Sequence, residues 1–125
     1  MISTDITPKL VTHTASARTD LHDITAAMIA WYDHADFDPD LPVLWDMREA
    51  TFERPPEDLV TSWSESNRTL INDRRPGRKT AWVLPDTEVA AFAVDLLTRS
   101  DFQHRVRIFH NDMEAAVSWL TSSIR

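Results

Sequence analysis

The chain has 125 residues, 42% hydrophobic and 26% charged, and a net charge of −7 at pH 7. That is the make-up of one water-soluble domain, and its acidic balance argues against general nucleic-acid binding, which needs an excess of Lys and Arg on one face. The absence of cysteine excludes disulfide and thiolate chemistry, and a single glycine, Gly77, cannot build the phosphate-cradling loops of dinucleotide or P-loop sites.

KLVTHTAS, residues 9–16, alternates as a strand does, and MISTDIT before it is expected to pair with it as an antiparallel hairpin turning at Pro8 and Lys9. The same N-terminal stretch has no apolar leader core, and no run approaches the ~18 apolar residues of a membrane span. A cytoplasmic location with no membrane span is therefore expected.

From Thr19, read as an N-cap, Leu21, Ile24, Met28 and Trp31 recur at helical spacing, with Asp20 and Asp23 favouring the helix dipole. That helix should end near Asp33 to Ala35. After the connection DHADFDPDLP, Val43 to Met47 reads as a strand buried on both faces, entered through Pro42. Pro56 and the pair Glu57 and Asp58 open a second helix, with Leu59, Trp63, Leu70 and Ile71 as its buried stripe. Pro76 and Gly77 turn the chain into a further buried strand, TAWVLP, residues 80–85. Asp86 is expected to cap TEVAAFAVDLL, whose Val89, Ala93 and Leu96 face inward. HRVRIFH alternates charge and apolarity like a strand near a sheet edge. Asn111, with Glu114 three residues on, starts a last helix carrying Met113, Val117, Leu120 and Ile124.

Strand–helix alternation on this scale predicts an α/β fold with a mostly parallel sheet of about four strands, four helices and an antiparallel N-terminal strand, all in one domain over residues 1–125. In such sheets function gathers at the carboxyl ends of the strands. The polar residues expected there are Asp46, Arg48, Asp86 and His110. Asp46 reads first as a loop-closing acceptor for backbone or Arg48 hydrogen bonds. The alternatives are a general base or a phospho-acceptor. A receiver-like phosphorylation site would also need a second acidic cluster for Mg²⁺, a Thr or Ser and a Lys at strand ends, whereas only Asp46 and Asp86 are well placed and Lys79 begins its strand.

Other motifs fall to simpler readings. DFDPD, residues 36–40, opens like a calcium loop but puts Leu41 and Met47 where Gly and Glu are required, so no metal site is expected. The five histidines, His13, His22, His34, His104 and His110, form no ligand pair at metal spacing. His110 is the one of interest, since it is expected to approach Asp86. RRPGRK, residues 74–79, reads as a solvated basic turn. Five tryptophans are many for such a chain. Packing is the first reading for them, with Trp63 and Trp119 the candidates for an exposed, interface-forming pair.

The segments DFDPDLPVLWDMREA, KTAWVLPD and RVRIFHNDMEAAVSWL, in this order, resemble the small SpoIIAA-like proteins related to STAS domains, over nearly the whole chain from about residue 10. The resemblance implies a βα superhelix. It also implies a phosphorylatable Ser at a helix N-terminus in the anti-sigma antagonists of that type. Here Pro55, Pro56 and Glu57 stand in that region, while Thr51 lies earlier and Thr61 and Ser62 a turn later, so the phosphorylation switch is expected to be absent. The function expected is a non-enzymatic regulatory or protein-interaction module without cofactors, its partner another protein or a second copy in a homodimer. A binder of small apolar molecules or lipids, by fold-level analogy with CRAL-TRIO proteins, is the alternative. A weak enzyme built on Asp46, Asp86 and His110 is the third.

Overall fold

In the computed structural model of the chain, which describes residues 2–74, 78–85, 90–95 and 106–122, the N-terminal segments form the expected hairpin. Strand β1 (Ile2–Ile6) runs antiparallel to β2 (Val11–Arg18), with Ile2 opposite Ala15 and Ile6 opposite Val11. Thr7 closes the turn: its hydroxyl donates to the Leu10 carbonyl at 3.0 Å and accepts the Leu10 N–H at 3.1 Å. Short hydroxyl side chains hold turns in this way.

Strands β3 (Val43–Thr51), β4 (Thr80–Leu84) and β5 (Val106–His110) complete a five-stranded sheet in the order β1-β2-β3-β4-β5, parallel from β2 to β5. Val43 to Met47 and all of β4 are buried, and β5 is an edge strand, as the sequence predicts. One strand boundary differs. β3 continues past Met47 to Thr51 because β2 still runs beside it, pairing Ser16 with Glu49 and Arg18 with Thr51 beyond a bulge. A ladder needs a backbone neighbour, not apolar side chains, so a hydrophobic run marks only the doubly buried part of this strand. The β3–β4 ladder itself ends at Asp46 opposite Val83.

Helix α1 (Leu21–Tyr32) starts one residue later than expected: Asp20, not Thr19, is the N-cap. The Asp20 carboxylate accepts the Asp23 N–H at 2.8 Å, and Asp23 accepts the Asp20 N–H at 3.0 Å. Two carboxylates at the positive end of the dipole cap better than a lone hydroxyl. Thr19 is instead buried, its N–H bonded to the Thr51 carbonyl at 2.9 Å. Helix α2 (Glu57–Arg74) buries Val60, Ser64, Asn67 and Ile71, whereas Leu59 is 55% exposed. Of the expected stripe, Ile71 is buried and Trp63 and Leu70 pack half-buried against the core, so only Leu59 departs from it. Val60, Ser64 and Asn67 fill the rest of the inner face, and the last two carry no apolar signal. Residues 90–95 are helical (α3) and bury Phe92 and Ala93. Asp86, Val89, Leu96, His104, Ile124 and the turn at Pro76 and Gly77 lie outside the described residues. Helix α4 (Met113–Thr121) is capped by Asp112, which accepts the Ala115 N–H at 2.9 Å, and not by Asn111. Asn111 takes φ 52°, a left-handed turn that Asn tolerates, and its N–H ties the end of β5 to the Leu84 carbonyl at 2.9 Å.

Strand order explains the layers. Each parallel connection steps to the next neighbour in the same direction, and right-handed crossovers then put every connecting helix on one face. Residues of α1, α2 and α3 accordingly share one core with Val11, Val43, Trp45, Met47, Trp82 and Leu84. The other face has a smaller core of Leu44, Ala81 and Val83 under Ala116 and Leu120 of α4. Among the described residues, no helix is long and apolar enough to cross a membrane.

Candidate functional site

Asp46 lies on the α4 face where β3 leaves β4, with only 8% of its surface exposed. Arg48, two residues on and therefore on the same face, grips it at both oxygens: Nε donates to Oδ1 at 2.9 Å and Nη2 to Oδ2 at 3.0 Å. The Arg48 backbone N–H adds a third bond to Oδ1 at 3.2 Å. Burial alone would raise the Asp46 pKa, but the hydrogen bonds and charge of Arg48 outweigh it and hold the carboxyl below its ordinary 3.8. The same pair raises the Arg48 pKa, mainly through the hydrogen bond to Asp46. A carboxylate kept ionised with its lone pairs engaged is a poor proton acceptor. It is well suited to closing a strand end.

His110 stands apart from this pair. It is exposed at the end of β5, in register with Leu84, and alternation along β5 puts it on the face opposite Asp46. The strand between them adds about 10 Å of separation at ordinary strand spacing. The shared edge therefore does not bring Asp46 and His110 together. The expected approach of Asp86 to His110 concerns a residue outside the described ones.

Trp63 and Trp119 also fall on opposite faces, both half-buried. Trp119 packs 6.0 Å from the Phe109 ring, between the Lys79 ammonium at 5.3 Å and the Arg107 guanidinium at 5.8 Å. Lys79 also donates to the Trp119 carbonyl at 3.0 Å, and Arg78 pairs with Asp40 at 2.6 Å. Arg78 and Lys79, the described basic residues that follow Gly77, are thus engaged in contacts within the chain. Trp63 lies on α2, and its indole N–H is shared between the Leu21 carbonyl at 3.1 Å and the Thr25 hydroxyl at 2.7 Å. Asn67 donates to the Trp63 carbonyl at 2.9 Å, so this cluster clamps α2 to α1.

Two hollows flank Trp63. The inner one is about 20 Å³, lined by His13, Trp31, Trp45, Trp63 and Trp82 among others. Above it a row of side chains crosses the sheet. The Thr4 hydroxyl is 2.8 Å from His13 Nδ1, the His13 and Trp45 rings lie 4.2 Å apart, and Trp45 and Trp82 stack at 5.0 Å. Such a cavity has room for about one water. The Trp31 Nε1, buried and with no hydrogen-bond partner among the described residues, supplies a donor on its wall.

The outer hollow is an open groove of about 510 Å³ between the first halves of α1 and α2. Leu21, Phe52, Pro55, Leu59 and Trp63 give it an apolar floor, with Thr25, Ser62, Ser66 and Asn67 among its polar lining. A smaller hollow of about 250 Å³ shares Asp20, Glu53 and Pro55 with it and reaches Arg18 and Arg54. Both open where β2 and β3 end and their helices begin, the carboxyl edge of the sheet. Sequence reasoning found Trp63 but missed this groove, since Phe52, Pro55 and Leu59 sit in a loop and on a helix shoulder. The available signal was the surplus apolar residue: Leu59 and Val60 are adjacent, and only one can face the core.

Among the described residues, no cluster of His, Asp and Glu could hold a metal ion. Set beside known proteins, the chain matches no family model and no curated protein sequence.

Proposed function

We propose that this protein is a non-enzymatic protein-interaction module of SpoIIAA-like, STAS-related type, working in the cytoplasm and receiving its partner in the α1–α2 groove. The observation that carries the reading is the groove itself: an apolar floor with Leu59 55% exposed, open to solvent, at the carboxyl edge of the sheet. Exposed apolar patches rimmed by polar residues mark interaction sites. The resemblance to regulators of this type supports a regulatory role. Pro55 and Pro56 stand where those regulators carry the switch Ser, and the Pro56 carbonyl accepts the Leu59 and Val60 N–H groups at 3.1 and 3.2 Å. The module therefore binds without that phosphorylation switch.

A binder of small apolar molecules is the second reading, favoured by a groove volume within the ordinary ligand range of about 300–1,000 Å³. Against it, the aromatic-lined enclosed cavity is only about 20 Å³.

Photo-cross-linking tests the first reading. A benzophenone side chain replaces Leu59 in the groove or, as control, the exposed Ser118 on α4. In cells of the protein's own host, a protein adduct at position 59 and none at 118 is the expected result. No protein adduct at 59, with a small molecule retained in native mass spectrometry, would hand the groove to the second reading. An adduct between two copies would make the partner a homodimer.

A further inference from the structure

We infer that the groove's partner is a basic amphipathic helix: apolar anchors at helical spacing on one side, Lys and Arg on its flanks. This rests on the interaction reading above and adds the partner's chemistry.

The shape comes first. α1 and α2 both leave parallel strands at the same edge, so they run side by side in the same direction. Two packed helices leave a straight furrow between them, and a third helix fits such a furrow. α1 spans 12 residues, about 18 Å at 1.5 Å per residue, which sets a seat of roughly three turns. The exposed apolar residues follow it. Leu59 lies on the groove wall at the α2 start, and Ile29, 43% exposed, lies one helical turn beyond Thr25 on the same side of α1. An apolar stripe at i, i+3, i+4 and i+7 meets both.

The charge comes second. Asp20 lies on the lining, and Asp58 and Asp73 on α2 continue the rim: Asp58 is four residues before Ser62, and Asp73 seven after Ser66, while Glu53, also on the lining, is paired within the chain. The arginines nearby already face carboxylates of the chain itself: Arg18 with Glu53 at 2.8 Å, Arg54 with Asp95 at 2.6 Å, and Arg74 with Asp33 at 3.2 Å. Arg68 falls five residues past Trp63, on the side of α2 turned from the groove. An apolar floor inside an anionic rim selects an apolar stripe between cations.

The test uses the full chain and three synthetic 15-residue helical peptides. One has Leu at i, i+3, i+4, i+7 and i+11 with Lys on its flanks. The second keeps the Leu stripe and replaces Lys by Glu. The third scrambles the first. Calorimetry is run at about 0.15 M salt, where the screening length is about 8 Å. The Lys–Leu peptide is expected to bind one-to-one, at least tenfold tighter than either control. Ile29→Ser with Leu59→Ser, both exposed positions, should weaken it at least tenfold. Asp58→Lys with Asp73→Lys should weaken it several-fold and flatten its salt dependence. Equal binding of the Glu and Lys peptides, or no loss in the Ile29 and Leu59 variant, would overturn the inference. If no peptide binds while position 59 still cross-links a protein, the interaction reading survives and the basic helix does not. If neither happens, both fall.

Discussion

On the face covered by α1, α2 and α3, the middle of the sheet presents His13, Trp45 and Trp82 in one lateral row. On the face covered by α4, the adjacent positions are Leu44, Ala81 and Val83, followed along β3 by Asp46 and Arg48. The same strands thus build an aromatic interior on one side and a small apolar core with an ion pair at its margin on the other. The difference follows from connectivity. Stepwise parallel connections send three helices to one face and leave the other to the C-terminal helix. Only the first face is thick enough to bury stacked rings. On the second, a carboxylate can stay charged at 8% exposure because its partner arginine reaches water, with 40% of its side chain exposed.

The most direct way to break this comparison is to truncate one core residue on each side of β3. Trp45→Ala should cost about 3–5 kcal/mol and Leu44→Ala about 2–5 kcal/mol, measured by urea unfolding. Trp45→Ala is expected to be the worse of the two. The reverse ranking would mean that the α4 face carries the main core.

The ion pair sharpens the contrast next. Arg48→Ala leaves the Asp46 carboxylate under-partnered and should cost about 1 kcal/mol at pH 7, at the low end for a buried group because water reaches the site. Its folded pKa lies below the unfolded value of 3.8, so the pair's contribution is complete above that value and is lost as pH falls through the lower folded pKa. Asp46→Asn should therefore be less sensitive than wild type to acid below about pH 4. An unchanged acid limb would show that the pair contributes nothing to stability.

Two smaller effects concern the carboxyl edge. Ala17 sits at φ 57°, beside the bulge where β2 leaves its first register with β3. Ala17→Gly should raise stability by up to about 1 kcal/mol, since the relieved strain exceeds the added chain entropy. Smallest of all, Leu59→Ser should change stability by no more than about 0.5 kcal/mol. A loss above ~2 kcal/mol would place Leu59 in the core and remove the groove's free anchor.

Much of the architecture is legible in the residues. Val43 to Met47 and Thr80 to Leu84 are near-continuous apolar runs, interrupted only by Asp46 and opened by Thr80, too short for helices and too continuous for half-exposed strands, which marks them as doubly buried neighbours. The alternation in HRVRIFH marks an edge strand, and the hairpin before it in the chain announces itself by two strand-like runs about Pro8. The candidate site was far less legible. Asp46 with Arg48 could be read as a loop-closing pair, because partners two residues apart share a face of a strand. Nothing local separates His110 from Asp46.

By itself the sequence determined the element types, the mostly parallel sheet and its antiparallel first strand, because periodicity, turn residues and β-branching act over a few residues. The tertiary structure alone decided which face each strand residue joins across the sheet. It set Asp46 and His110 on opposite sides, aligned His13, Trp45 and Trp82, and left Leu59 in the open while Val60 went inside. Those outcomes depend on strand register and on how far α2 is rotated against α1. Both are settled by contacts between residues some forty positions apart, such as Trp63 with Leu21 and Thr25.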